Sequence, residues 1–445
     1  MPASTGSWFG ERIEPVTVGL RPDEVAEIMR DELRELPLPP HPISLQPFVI
    51  PRTSYRELLQ AAGDLLGLIR RSMLHSGTDR ASRIAALGID PADCPIWTDD
   101  EEWELRHCAD LARADVVLGV DGPKFVEFNV SGAFGGMLHF QLYQRAWQRV
   151  AERAGQPAFV SAGAFARFAG LIERTCAELG VPPSIALVGT PREWGPRTPP
   201  RHFLHQADLL RQHGIEAVHL DFEELLDGIG APGDLRYPLG VAQFTVRDAN
   251  DLGYDISPAQ IAQTRGFRLI PSASAWLLHT KKHLALLSEG QPWMTAQDHD
   301  LAARYLPWSR IVGDRKVRWR DGHYELTELL LDQRENFVLK GATGCSGAEV
   351  VFGGRSTPQE WAALVEEAAR GGYHIVQEVV PAQPMPVDVM EESGEVNRIV
   401  ANPVISPFVI DGTAVGCFGR FVADQRPGII SALSQARLTC LLAEA

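Results

Sequence analysis

Apolar positions recur every three to four residues from Tyr55 to Arg71 (YRELLQAAGDLLGLIRR), which predicts an amphipathic helix. The same spacing predicts helices over Trp103–Leu111, His139–Ala154 and Lys281–Ser288. Asp115–Val120 reads as a strand, and Lys124–Asn129 as a second one. With Asp121-Gly122 between them, these runs predict a β-hairpin closed by a primed turn. From Ser184 the texture changes: SIALVG reads as a buried strand, QADLLRQHG as a helix ended by its glycine, and EAVHLDF as another strand. Such a strand–helix–strand order predicts a small doubly wound domain over about 180–270.

The last third predicts a strand at Asn336–Lys340, a Gly-rich loop, a second strand at Ala348–Phe352, and a helix opening at Thr357-Pro358-Gln359-Glu360. There a threonine cap, a proline in the first turn and a glutamate reaching back mark the helix start, and Gly371-Gly372 its end. His374–Val380 reads as a strand stopped by Pro381, and Asn402–Ile410 with Val415–Phe421 as a hairpin turning at Asp411-Gly412. The first 50 residues are Pro-rich and mix short helices with extended pieces. No fixed-period repeat is visible.

Composition narrows the function. The chain has 445 residues, 45% hydrophobic and 22% charged, enough for two or three domains with ample core. A net charge of −15 weighs against a broad nucleic-acid or anionic-membrane surface while leaving room for a local basic pocket. The six cysteines form no CxxC pair, so neither a zinc site nor a redox dithiol is expected. The first fifteen residues show no basic start followed by an apolar run, and no apolar run reaches 18 residues. A cytoplasmic protein without membrane segments is the expectation.

Three segments carry chemistry. In Phe337–Gly347 a strand delivers Lys340 into a loop of small residues, whose backbone N–H groups can approach phosphate oxygens. It is not a P-loop, since GxxxxGK[ST] is absent. His374–Val380 embeds Gln377-Glu378 in an apolar strand. In Arg113–Gly136, Asp115 opens one hairpin strand while Glu127 and Asn129 share a face of the other, a hard-oxygen set suited to Mg²⁺. By contrast, Gly228–Gly233 matches GxGxxG but follows a helix-like stretch, contains proline and opens no helix, so it reads as a loop.

Together these segments resemble ATP-grasp ligases. The metal-type motif precedes the lysine loop, an inverted order that resembles the circularly permuted branch of glutathione synthetase and glutathionylspermidine synthetase type. The most specific match is Glu127-Phe128-Asn129 with Ser131 and Phe134-Gly135-Gly136, similar to that family's E-x-N…S-F-G-G. Arg113-Ala114-Asp115 resembles its R-x-D, Thr280-Lys281-Lys282 its T-K-K, and Val246-Arg247-Asp248 its substrate-side strand ending in arginine.

The resemblance implies an α/β, circularly permuted ATP-grasp fold with a small doubly wound α/β substrate domain. Region 1–179 would carry the metal-binding part of the core, 180–270 the substrate domain, and 271–445 the nucleotide-binding part. It implies that Glu127 and Asn129, with Asp115 a further candidate, hold Mg²⁺. Lys281 or Lys282, and Lys340, would meet ATP phosphates, with Ser346 and Gly347 covering them and Gln377, Glu378 and Val379 lining the adenine site. Arg113, Ser131, Arg247 and Arg420 would hold the acyl substrate or its phosphate. The family's glutamate after the loop lysine is replaced by Gly344. The implied activity is ATP-dependent joining of a carboxylate to an amine through an acyl phosphate, with amino acids or peptides of bacterial secondary metabolism as substrates. A kinase on the same fold and a nucleotide-binding protein without turnover are the rivals, and a homodimer is the default assembly.

Overall fold

The computed structural model describes residues 8, 19–34, 36, 42–93, 95–191, 200–344, 347, 349–422 and 436–443. Its largest element is an eight-stranded sheet. Along one path run Ile43–Ser44, Met385–Met390, Val396–Ile410, Thr413–Val422, Arg437–Ala443 and Phe48–Ile50. The long Val396–Ile410 strand carries Met385–Met390 beside its first half and Leu111–Gly119 beside its second, and Gly122–Val130 adds to Leu111–Gly119. Both ends of the chain therefore interleave in one sheet, and regions 1–179 and 271–445 share a framework.

Thr413–Val422 and Arg437–Ala443 are buried almost without interruption, because helices cover both faces of this sheet. Cys417, Phe421 and Leu441 join the core under helix Arg52–His75. Phe418, Cys440 and Leu442 join the core under helices Met137–Ala154 and Ala164–Glu178. Gly416 is the extra residue of a bulge opposite Pro407 and Phe408; its φ is +61°, and a Cβ there would lie 2.2 Å from the Phe140 ring. Only glycine combines that backbone with that contact.

A four-stranded parallel sheet runs in the order Arg268–Leu269, Leu239–Ala242, Ser184–Val188, Glu216–Leu220. Ile185 and Leu187 enter one core and Ala186 and Val188 another, so both faces are covered, as the SIALV run predicts. A third, antiparallel sheet runs Ser309–Ile311, His374–Glu378, Phe337–Gly341, Val350–Phe352, and helices Leu326–Asp332 and Pro358–Gly371 share its core. The latter helix has the expected capping box at Thr357 and Glu360, with Gly372 left-handed at its end. The GxGxxG segment holds a tiny hairpin of Gly230–Ala231 and Asp234–Leu235 and opens no helix.

Three expectations need correction. The helix at Trp103 ends at Arg106, and Leu111 already opens a strand, because the 111–119 residues are claimed by sheet pairing. The hairpin turn is Val120-Asp121, one residue earlier than expected, since Gly119 pairs with Gly122. Val246-Arg247-Asp248 is not a strand: it opens helix Val246–Asp251, capped by Thr245 accepting from the Asp248 N–H. Four cysteines, Cys108, Cys176, Cys417 and Cys440, are free and buried; Cys94 and Cys345 lie outside the described residues. Among the described residues no helix is long and apolar enough to cross a membrane.

Candidate active site

The site forms where one face of the 111–130 hairpin meets the start of the Gly-rich loop. Cross-strand pairing sets Arg113 opposite Asn129 and Asp115 opposite Glu127, which places all four on one face. A bulge follows, with Val126 as its extra residue, and the Lys340 ammonium donates to the Val126 carbonyl at 3.0 Å. The same ammonium donates to Gln377 Oε1 at 2.8 Å. The Lys281 ammonium pairs with Glu127 Oε1 at 3.0 Å and donates to the Gly344 carbonyl at 2.6 Å, while its backbone N–H donates to Ala342. Two segments more than 200 residues apart in sequence thus meet in one cluster of side chains.

Asp115 sits at the other end of this face. Arg420 Nη2 reaches its Oδ1 at 2.7 Å, Arg113 Nε at 3.3 Å, and the Ser406 hydroxyl donates to it at 2.9 Å. Burial alone would raise its pKa, but the two guanidiniums and the hydrogen bonds outweigh that and hold the carboxyl well below its ordinary range. The Arg113 guanidinium also donates to the Phe134 carbonyl. Glu127, despite burial and the nearby Asp115 charge, is likewise held low by Lys281 and Lys340. Lys340 moves the other way: burial first, with Lys281 adding, pulls its pKa down to about 8, against the pull of Glu127. His279, stacked on Trp276 with ring centroids 4.9 Å apart, is pushed down to about 4 by burial and then by Lys281, so it is neutral at pH 7.

Arg113, Lys281, Lys340 and Arg420 supply four positive charges against two carboxylates, Asp115 and Glu127, leaving an excess of two. Arg420 Nε is buried and makes no hydrogen bond. Excess buried charge of one sign is costly in an empty site and becomes favourable when a polyanion enters.

The other expected residues fall in different places. Lys282 points away and donates to the Leu87 carbonyl at 2.8 Å, at the end of helix Arg80–Leu87. Asn129 keeps its amide beside Arg113, donating to that residue's carbonyl at 3.4 Å. Gln377 is buried between Lys340 and Ser309. Glu378 pairs with the exposed Arg320 at 3.3 Å, and the Val379 N–H is taken by the Asn336 carbonyl. Ser131 lines a cleft with Asp93, Thr245, Ser272 and Trp276. Gly347 has φ +78°, and Ser346 lies outside the described residues.

Sequence reasoning missed Glu349, Tyr373 and Ser406. Glu349 folds back over the loop: a Cβ at Gly341 would lie 1.7 Å from its carboxylate, and one at Gly344 would lie 2.8 Å away. Tyr373 donates to it at 2.7 Å, and Arg247 stands 3.7 Å from it, tying the parallel-sheet region to the loop. The available signal was the pair of loop glycines themselves, which leave space for a neighbouring side chain.

Among the described residues no three His, Cys, Asp or Glu side chains converge to hold a metal. An Mg²⁺ site needs less, since this ion takes one or two protein oxygens with phosphates and water supplying the rest. Glu127 Oε1 is engaged by Lys281, while the neighbouring Asn129 uses its amide nitrogen toward Arg113, so the second Glu127 oxygen and the Asn129 carbonyl oxygen form a fitting pair. Asp115, held by two arginines, is the poorer donor.

No family model and no curated protein sequence matches the chain. Among solved structures, a glutathione synthetase-like effector (GSS30) from Globodera pallida, in its apo form, aligns over 96% of this chain and 99% of its own at 14% identity, with a TM-score of 0.56. A putative gamma-glutamylcysteine synthetase from Methylobacillus flagellatus aligns over 86% of this chain and 88% of its own at 14% identity, with a TM-score of 0.42. The first of these covers nearly the whole of both chains, and this chain accordingly has a glutathione synthetase-like α/β fold.

Proposed function

We propose that the chain is an ATP-dependent carboxylate–amine ligase on a circularly permuted ATP-grasp framework. The observation that carries this reading is the cluster of charged side chains in which Arg113, Lys281, Lys340 and Arg420 outnumber Asp115 and Glu127. A nucleoside triphosphate and a carboxylate are the anions such a cleft suits. Lys281 and Lys340, now bonded to Gly344 and Gln377, would exchange those partners for phosphate oxygens. Arg113 and Arg420, fixed in direction by Asp115, would face the acyl carboxylate and the transferred phosphoryl group. Glu127 and Asn129 would hold Mg²⁺, which supplies charge neutralisation on the phosphates when bound.

In that reading the acid attacks the γ-phosphorus, ADP leaves, and a neutral amine displaces phosphate from the acyl phosphate. Positioned charge does most of the work in such a transfer. The cleft beside Ser131, with Asp93, Thr245 and Ser272 on its walls and Arg247 in the adjoining helix, suits an amino-acid or peptide substrate with charges of both signs.

An ADP-release screen against amino acids and dipeptides tests the reading. Release that requires both an acid and an amine supports ligation. A stable phosphorylated product with no amine requirement would make the chain a kinase, and ATP binding with no release against any pair would make it a nucleotide-binding protein.

A further inference from the structure

Glu349 is the first acidic residue after Lys340, and its side chain folds back over the loop between them. Its backbone carbonyl accepts from the Gly341 N–H at 3.0 Å, which closes the loop at its base. One carboxylate oxygen rests on the bare backbone of Gly341 and Gly344, where Cβ atoms would lie 1.7 and 2.8 Å from it. The Gly344 carbonyl also accepts from the Lys281 ammonium. The loop surface on which phosphates are expected therefore already carries an anion.

Two groups hold the carboxylate there. The Tyr373 hydroxyl donates to that oxygen at 2.7 Å and stands 3.2 Å from the Thr343 hydroxyl. Burial, with Glu349 adding, raises the Tyr373 pKa, so the phenol keeps the proton it donates. The other carboxylate oxygen faces Arg247 at 3.7 Å, beyond hydrogen-bond reach. The two side chains are 37% and 34% exposed, and an ion pair so long and so open is weak and readily exchanged. Arg247 follows Thr245 and Val246, which line the cleft beside Ser131.

Triphosphate oxygens approaching these glycines would meet the Glu349 carboxylate at close range, and like charges so placed oppose each other. The triphosphate carries more charge and gains Lys281 and Lys340, so the carboxylate is the group that moves. Its departure breaks the pair with Arg247 and leaves that guanidinium free to meet an acid in the adjoining cleft. We propose that Glu349 is a positioning residue that occupies the phosphate place on the loop in the nucleotide-free chain and, when a triphosphate displaces it, releases Arg247 to the acyl substrate. The proposal rests on the ligase reading. By linkage, an acid that engages Arg247 raises nucleotide affinity by the factor by which nucleotide raises its own.

Calorimetry on the full chain with Mg²⁺ and a non-hydrolysable ATP analogue tests this, together with phenylglyoxal labelling of Arg247 read by mass spectrometry. Expected in Glu349→Gln, at unchanged melting temperature, is roughly fivefold tighter binding of the analogue. Tyr373→Phe, which removes the hydrogen bond to the carboxylate, should shift affinity the same way by a smaller factor. Saturating analogue should speed Arg247 labelling in the wild-type chain, and Glu349→Gln should label at the faster rate without nucleotide. Analogue binding that both substitutions leave unchanged or weaken, or Arg247 labelling that the analogue does not speed, would overturn the proposal and leave the ligase reading standing. An analogue that fails to bind the wild-type chain would remove both.

Discussion

The charged cluster on the 111–130 hairpin and the cavity beside helix Arg201–Gln212 are built from opposite materials. The cleft by the 111–130 hairpin gathers buried ions with two positive charges to spare, each ion held by a named partner. Among the described residues, the side chains lining the cavity by helix Arg201–Gln212 are imidazoles, carboxamides and hydrocarbon. The difference teaches where selection by charge operates. Burial drives both sets of titratable groups toward neutrality, and only in the first do opposite charges keep the carboxylates ionised.

That contrast can be broken most forcefully at Asp115. Asp115→Asn leaves two guanidiniums facing a neutral amide, and a loss of about 3–5 kcal/mol in denaturant unfolding is expected. Glu378→Gln, at the exposed Arg320 pair, should cost under about 1 kcal/mol in the same assay. Next in size, Lys340→Met and Glu127→Gln should each lower ligand-dependent ADP release by about 10²–10³ with the fold intact by circular dichroism.

A smaller effect follows pH. Lys340 has a folded pKa of about 8, below its ordinary 10.5. The free cleft loses this charge above about pH 8, so triphosphate affinity should be flat below that value. Above it, affinity should fall up to about tenfold per pH unit, as read by calorimetry. The stability sign is opposite: between the folded and unfolded pKa values the unfolded chain binds more protons, so this group makes stability rise with pH there. Lys340→Met should flatten both profiles. The smallest change is with salt: raising ionic strength from about 0.1 to 1 M shortens the screening length from about 10 to 3 Å and should weaken triphosphate binding several-fold.

Much of this architecture was legible in the chain because periodicity is local. The 111–130 hairpin, the parallel strand–helix–strand unit, and the Thr357 capping box each declare themselves within a few residues. What the sequence hid is set by distant neighbours or by rotation. Lys281 and Lys282 are adjacent and alike, yet about 100° of turn per helical residue sends one to Glu127 and the other to Leu87. Asp115 looks like a metal ligand until Arg420 and Ser406 arrive from some 300 residues away. Arg247 lies in a helix and not at a strand's end because Thr245, three residues before Asp248, caps that helix, a signal local to the sequence. Glu349 was missed because the family pattern puts its carboxylate at the position Gly344 occupies, and the space made by that glycine is visible only in three dimensions.

The central claim is that the Lys281–Glu127 pair and Lys340 line a triphosphate site. A crystal structure of the chain with Mg²⁺ and a non-hydrolysable ATP analogue tests it most directly. The account expects the phosphates between the two ammonium groups, with metal density at the oxygens of Glu127 and Asn129. Phosphates bound elsewhere, with Lys281 still donating to Gly344 and Lys340 to Gln377, would contradict it.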